Sequence, residues 1–162
     1  MKYLLSLFSI LLLTACQSHK SVSKYQKLEY ETTPCFGFCP IFKITINADK
    51  SATFEAEHFN FGENHTKTNF SAEREGTFKT TIKAKDYNKL VALIDELDPK
   101  QLNDFYGDKN IMDMPTSFLR INYTDGTSKI IEDYGKRGTP KLKEVYKFFA
   151  DLRLNQTWKK VK

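Results

Sequence analysis

Three histidines in 162 residues leave little room for imidazole chemistry. They stand at His19, His58 and His65, and no Gly-x-Ser-x-Gly stretch supplies a nucleophile for them to serve. A metal site would have to join His58 and His65 to a carboxylate such as Glu57 or Glu63, and two histidines across a loop are more often solvated. No metal and no cofactor is expected. Arginine is scarce too: Arg74, Arg120, Arg137 and Arg153 stand among 25 basic residues. The formal net charge is +5, but readers of base edges and phosphates favour the planar guanidinium over lysine. Nucleic acid is therefore excluded as the expected partner. The apolar run from Leu4 to Leu13 is too short to cross a bilayer as a mature helix.

That run has another reading. Lys2 precedes it, Ser6 and Ser9 are its only breaks, and Leu13-Thr14-Ala15-Cys16 follows. A positive start, a short apolar core and small residues at the end describe a signal peptide over 1–15. The last four residues resemble the bacterial lipobox. By that resemblance Cys16 becomes the lipidated N-terminus, and the membrane is reached through its acyl chains. Residues 16–27 then form the anchor and a polar tether without apolar period. An exported, lipid-anchored protein of the cell envelope is expected. Gln17 is not the aspartate associated with inner-membrane retention in some bacteria, so the outer membrane is favoured.

Lipid at Cys16 changes the cysteine arithmetic, because the even pair Cys35 and Cys39 remains. They bracket Pro34-Cys35-Phe36-Gly37-Phe38-Cys39-Pro40, with glycine at the centre and a proline on each flank. Gly37 permits the reversal that would bring two sulfurs together, and the prolines bias the residues before them towards extended backbone. In an oxidising compartment a structural disulfide is the leading expectation, worth roughly 2 kcal/mol for so small a ring. Redox-active thiols, metal ligation and free thiols are the alternatives. The redox reading is weakened by a spacing one residue longer than Cys-x-x-Cys, and by a strand rather than a helix after it.

A single domain is expected over 28–158, with a basic tail at 159–162. Leu28 to Thr33 alternates, as do Phe42, Ile44 and Ile46 with their polar neighbours. Ala48 to Ser51 is turn chemistry, and Ala52 to Phe61 returns as a strand. Phe54 and Ala56 there have the opposite parity to Phe59 and Phe61, which either a bulge near His58 or partial cover on both faces would explain. Gly76 to Ile82 makes another strand. Tyr87, Leu90, Val91, Ile94 and Leu97 then follow helical spacing, with Pro99 just beyond. Ser117 to Tyr123 and Lys129 to Tyr134 flank the hairpin turn Thr124-Asp125-Gly126-Thr127. Thr139-Pro140 opens a last helix with Leu142, Val145, Tyr146, Phe149 and Leu152 on one face. The expected fold is α+β: an antiparallel sheet built from hairpins, with both helices packed on one face.

The stretch Pro34 to Phe42 resembles a family of bacterial envelope proteins catalogued as a domain of unknown function. Its members carry a Pro-Cys-aromatic-Gly-x-Cys-Pro signature, then a strand and an Asp-Gly-like turn. Here that turn is Asp49-Lys50, which leaves its left-handed position without glycine. The likeness runs from about Tyr30 to Leu152, and it implies a fold and a compartment rather than an activity.

Two classes of function stand against each other. A lipid-anchored binding or structural module would use loops on a rigid scaffold to hold an envelope protein or glycan. An envelope enzyme would use Cys35 and Cys39 for thiol–disulfide redox, or hydrolyse through an unrecognised site. No nucleophile–base pair is suggested by spacing, so no catalytic residue is named and the binding module is preferred. Its candidate residues are Phe36 and Phe38, with Asp113, Arg120 and Arg137 as polar candidates that could surround a pocket with Asp133. Their ordinary role would be surface charge and turn capping. Pointing outward, Phe36 and Phe38 form an apolar hot spot; pointing inward, they plug one end of the core, which is the leaning from how aromatic cores pack.

Overall fold

Period-two alternation in the strands sets the architecture. The computed structural model describes residues 23–61 and 72–162. The signal peptide, Cys16, His19, most of the tether, Glu63 and His65 lie outside the described residues. In chain order come β1 (Tyr25–Thr32), β2 (Ile41–Asn47), β3 (Ser51–His58), β4 (Gly76–Thr81) and α1 (Ala84–Leu97). A 3-10 turn (Pro99–Gln101), β5 (Phe105–Tyr106), β6 (Thr116–Tyr123), β7 (Ser128–Tyr134), α2 (Pro140–Asn155) and β8 (Lys159–Lys160) follow. The class is α+β, with one eight-stranded sheet ordered β5-β7-β6-β1-β2-β3-β4-β8. The sheet is not wholly antiparallel as expected, because β5 pairs parallel with β7. Two residues without period carry that pairing, too short a stretch for alternation to reveal.

Cross-strand register puts like with like. Leu28 faces Ile46 and Ile121, Tyr30 faces Ile44 and Leu119, and Phe42 faces Ala56. Ile44 faces Phe54, which in turn faces Phe78. These positions are buried apart from the partly buried Phe78, while the alternate ones, such as Glu29, Glu31, Lys43, Thr45 and Glu55, stay half-exposed. The buried residues of both helices belong to the same apolar cluster as these strand positions. Tyr30 stacks on Tyr146 and Phe149 of α2 at 5.2 and 5.4 Å. Thr139 caps α2 by accepting from the Leu142 N–H, with Pro140 in the first turn. The two helices also touch each other.

Two departures from alternation are local. Between Ile41 and Phe42 the pairing jumps from His58 to Ala56, so Glu57 is the extra residue. Phe59 then takes φ 62° and turns into the core, which accounts for the change of parity. Near the start of β1 a register shift between Tyr25 and Lys27 brings Tyr25 over Tyr123.

Regular structure extends past the expected limits at both ends. β1 opens at Tyr25 rather than Leu28. At the other end Lys159 and Lys160, read as part of a basic tail, pair with Lys79 and Phe78 of β4. Trp158 lies 5.3 Å from Phe54 and donates its indole N–H to the Leu152 carbonyl. The C-terminal chain thus covers the β4 edge, which a hydrophobic pattern of lysines gives no sign of.

Lys50 occupies the left-handed position of the β2–β3 turn with φ 71°. Asp49 organises the turn by accepting from the Ser51 N–H and hydroxyl at 2.8 and 2.6 Å. A side chain bearing Cβ is unfavourable in that conformation by about 1 kcal/mol. Lys50→Gly should therefore raise the melting temperature by roughly 2–4 °C in a thermal scan; a lower value would show that the lysine side chain outweighs the backbone term.

Candidate functional site

The candidate site is the end of the sheet where β1, β3 and β7 finish and β2 and β6 begin. Cys35 and Cys39 are joined in a disulfide with Cα atoms 5.8 Å apart. Gly37 sits between them at φ 135°, a conformation closed to residues with a side chain. The closed loop is sewn to the segment before β6. The Thr33 N–H donates to the Thr116 carbonyl (3.0 Å), the Thr116 N–H to the Thr33 hydroxyl (2.8 Å), and the Phe36 N–H to the Asp113 carbonyl (3.0 Å). Tyr134 pins the same segment, its hydroxyl donating to the Ile111 carbonyl at 2.6 Å and accepting from the Met114 N–H at 3.3 Å.

What this framework displays is apolar. Phe36 is 88% exposed and Met112 is 79% exposed. Ile111, Phe38 and Phe61 are each about two-fifths exposed or more. Phe38 meets the buried Phe59 edge-on at 5.5 Å, whereas Phe61 leans on Phe54 and Phe78 at 5.9 and 5.3 Å. The inward packing expected of the bracket rings is corrected for Phe36 and only partly met by Phe38. The cause is geometric. A five-residue ring tied to Asp113 through its backbone cannot reach the core, and Phe42 and Phe59 already close that end.

The polar candidates do not form one pocket. Arg120 lies on the half-exposed face of the sheet, where its guanidinium bonds Glu29 at 2.9 Å and Glu31 at 2.6 Å and stacks over Phe118. Asp133 is on the opposite face, paired with Ser117, and is fully buried. Its carboxylate accepts from the Arg137 N–H (2.7 Å) and the Gly138 N–H (3.0 Å). Arg137 thus contributes its backbone, and its side chain is exposed. Asp113 likewise contributes its carbonyl. Gly138 is required, since a Cβ there would lie 2.7 Å from Asp133 Oδ2 and 2.8 Å from Leu142 Cδ1. Beside Asp133, burial first and that carboxylate second push the Tyr146 phenol well above its ordinary pKa. This cluster holds the β7–α2 turn in place.

Other chemistry is thinly supported. The His58 ring contacts the Ala72 carbonyl at 3.0 Å, and His65 lies outside the described residues. Among the described residues no three His, Cys, Asp or Glu side chains are grouped to hold a metal ion. No described helix is long and apolar enough to cross a membrane. Sequence reasoning missed Ile111 and Met112, which lie in a nine-residue stretch with no period. Only the grouping of Ile111, Met112 and Met114 in an otherwise polar loop could have marked them.

Residues 26–153 match the family described as a domain of unknown function, DUF6438. The chain belongs to the DUF6438 family. No curated protein matches it. The matched span takes in the bracket, the loop before β6, Asp133, α1 and most of α2.

Substitutions separate display from support. Phe36→Ala should change stability by less than about 0.5 kcal/mol, because the ring is solvated. Asp133→Ala should lower it by about 2–4 kcal/mol by stranding two N–H groups in the core. Urea unfolding of both variants checks the contrast, and equal losses would contradict it.

Proposed function

We propose that the protein is a lipid-anchored module of the cell envelope that binds an envelope protein or glycan through the apolar rim around the disulfide. One observation carries the reading: Phe36 and Met112 stand in solvent on two loops that are hydrogen-bonded to each other. Large apolar side chains on loops that are already ordered lose little entropy on binding, which is how interface hot spots are built. The rim lies on a sheet whose hairpin-joined strands bury one face under both helices, a rigid base for such loops. The lipobox-like Leu13-Thr14-Ala15-Cys16 supports the anchor and the export, and Gln17 in place of an aspartate supports the outer-membrane placement.

Two measurements test this reading. Cys16→Ser should accumulate unprocessed precursor and lose detergent partitioning; unchanged partitioning contradicts the anchor. For the rim, crosslinking in intact envelopes should recover a partner with the wild-type protein. The doubly substituted Phe36→Ser, Met112→Ser protein should lose most of it at an unchanged melting temperature. Equal recovery by both proteins contradicts the binding reading.

A further inference from the structure

Backbone hydrogen bonding leaves one stretch of the sheet edge unmatched. The Tyr123 N–H donates to the Thr127 carbonyl at one end of the β6–β7 ladder, and the Gly135 N–H donates to the Pro115 carbonyl at the other. Between them Ile121 pairs with Lys129, Leu119 with Ile131 and Ser117 with Asp133. Bonded pairs alternate with non-bonded ones in an antiparallel ladder. Lys129, Ile131 and Asp133 therefore turn their backbone groups towards β6, and Ser128, Ile130 and Glu132 turn theirs to the outer edge. The Glu132 N–H is met there by the Asp104 carbonyl at 2.8 Å, where β5 begins. β5 pairs with Glu132 and Asp133 and reaches no further back along β7. Among the described residues, nothing pairs with the outward N–H and C=O groups of Ser128 and Ile130.

The side chains there supply a second, independent signal. Ile130 is 52% exposed, on the face of the sheet that the helices leave uncovered, and shares its cross-strand row with Arg120, Glu29 and Thr45. Phe105, paired with Glu132 on the same edge, is exposed as well. Sheet edges are ordinarily covered or guarded by lysine. The opposite edge follows that rule, since Lys159 and Lys160 pair with β4 beside Lys79. On β7 the lysine is Lys129, and its ammonium is turned back onto the Leu102 carbonyl and the Asp104 carboxylate, which leaves the edge unguarded.

We propose that the Ser128–Ile130 edge of β7 receives an extended peptide segment of a partner protein as an added strand, in line with β5. A row of N–H and C=O groups on an extended backbone is matched group for group by another extended backbone. Alternate side chains of the peptide fall beside Ile130 and Phe105, which suits β-branched or apolar residues. Asp104 and Glu132 line the shallow cleft along this edge and favour basic residues in the peptide. A second copy of the domain does not fit. In a twofold β7–β7 pairing, the β6–β7 turn of each copy would have to pass where β5 of the other stands. The edge lies at the turn end of β7, away from the rim, so this inference does not rest on the binding reading above.

The test is an NMR titration of the full chain in detergent with the peptide acetyl-KTVTVTK-amide, whose valines share one side of the extended chain. A parallel arm uses the same sequence N-methylated at the backbone amides between its lysines. Saturable shifts at the amides of Ser128, Ile130 and Phe105 are expected with the unmodified peptide only. Exchange of the Ile130 amide should slow about tenfold at saturation. Ile130→Pro removes the outward donor at a position where an edge strand accepts proline, and should abolish the shifts at Ser128 and Phe105. Ile130→Ser keeps the backbone and should weaken binding about fivefold by removing the apolar contact. Because Ile130 is exposed, the serine variant keeps the test interpretable if the proline variant is unstable. Equal binding of the N-methylated peptide, no saturation, or unchanged binding by Ile130→Ser would overturn the proposal. So would protection of the Ile130 amide that rises with protein concentration without peptide, which would point to a second copy.

Discussion

The fold depends on how Tyr30 is packed. Its ring lies within 6 Å of Phe42, Tyr146 and Phe149, and its hydroxyl meets the Ser117 hydroxyl at 3.2 Å. One side chain therefore links β1, β2, β6 and α2. It can do so only if β1 holds the register that sends Leu28, Tyr30 and Thr32 to one side. A slip by one residue would exchange them for Lys27, Glu29 and Glu31 and place three charges in the core. Burial raises the Tyr30 pKa, in keeping with a neutral phenol enclosed by rings.

With the core filled from one face, the large apolar side chains left exposed at the sheet end call for an explanation outside the fold. Phe36 and Met112 add nothing to the apolar cluster, yet the backbone beneath them is fixed by a disulfide and by bonds to Asp113, Thr116 and Tyr134. The opposite end has a complementary anomaly. Its acidic helix terminus, around Asp95 and Asp98, sits where local stability would favour a base. Both ends break a local rule, and both lie on loops or element ends that the sheet holds rigid.

Much of the fold was legible because alternation is a strong signal where one face of a sheet is buried. The long strands, both helices and the turn at Asp49-Lys50 could be read directly. β5 and β8 could not, since pairs of two residues have no period, and Lys159-Lys160 reads as solvent-facing charge. The bracket was legible as chemistry but not as orientation. Phe36 and Phe38 in a stapled turn fit a core plug or a displayed pair, with the plug favoured by how aromatic cores pack, and the tie from Phe36 to Asp113 turns Phe36 the other way. Arg120 and Asp133 looked like neighbours, yet β-strand parity sends them to opposite faces, a distinction that depends on which face is buried.

The central claim is that the disulfide-closed bracket holds the rim in place without supporting the core. Amide hydrogen exchange of the oxidised and reduced protein tests it most directly. The account predicts that the Phe36 amide, bonded to the Asp113 carbonyl, loses at least about tenfold protection on reduction, while Tyr30, Ile44 and Leu119 keep theirs. Unchanged protection at Phe36, or a loss spread through the core strands, would contradict it.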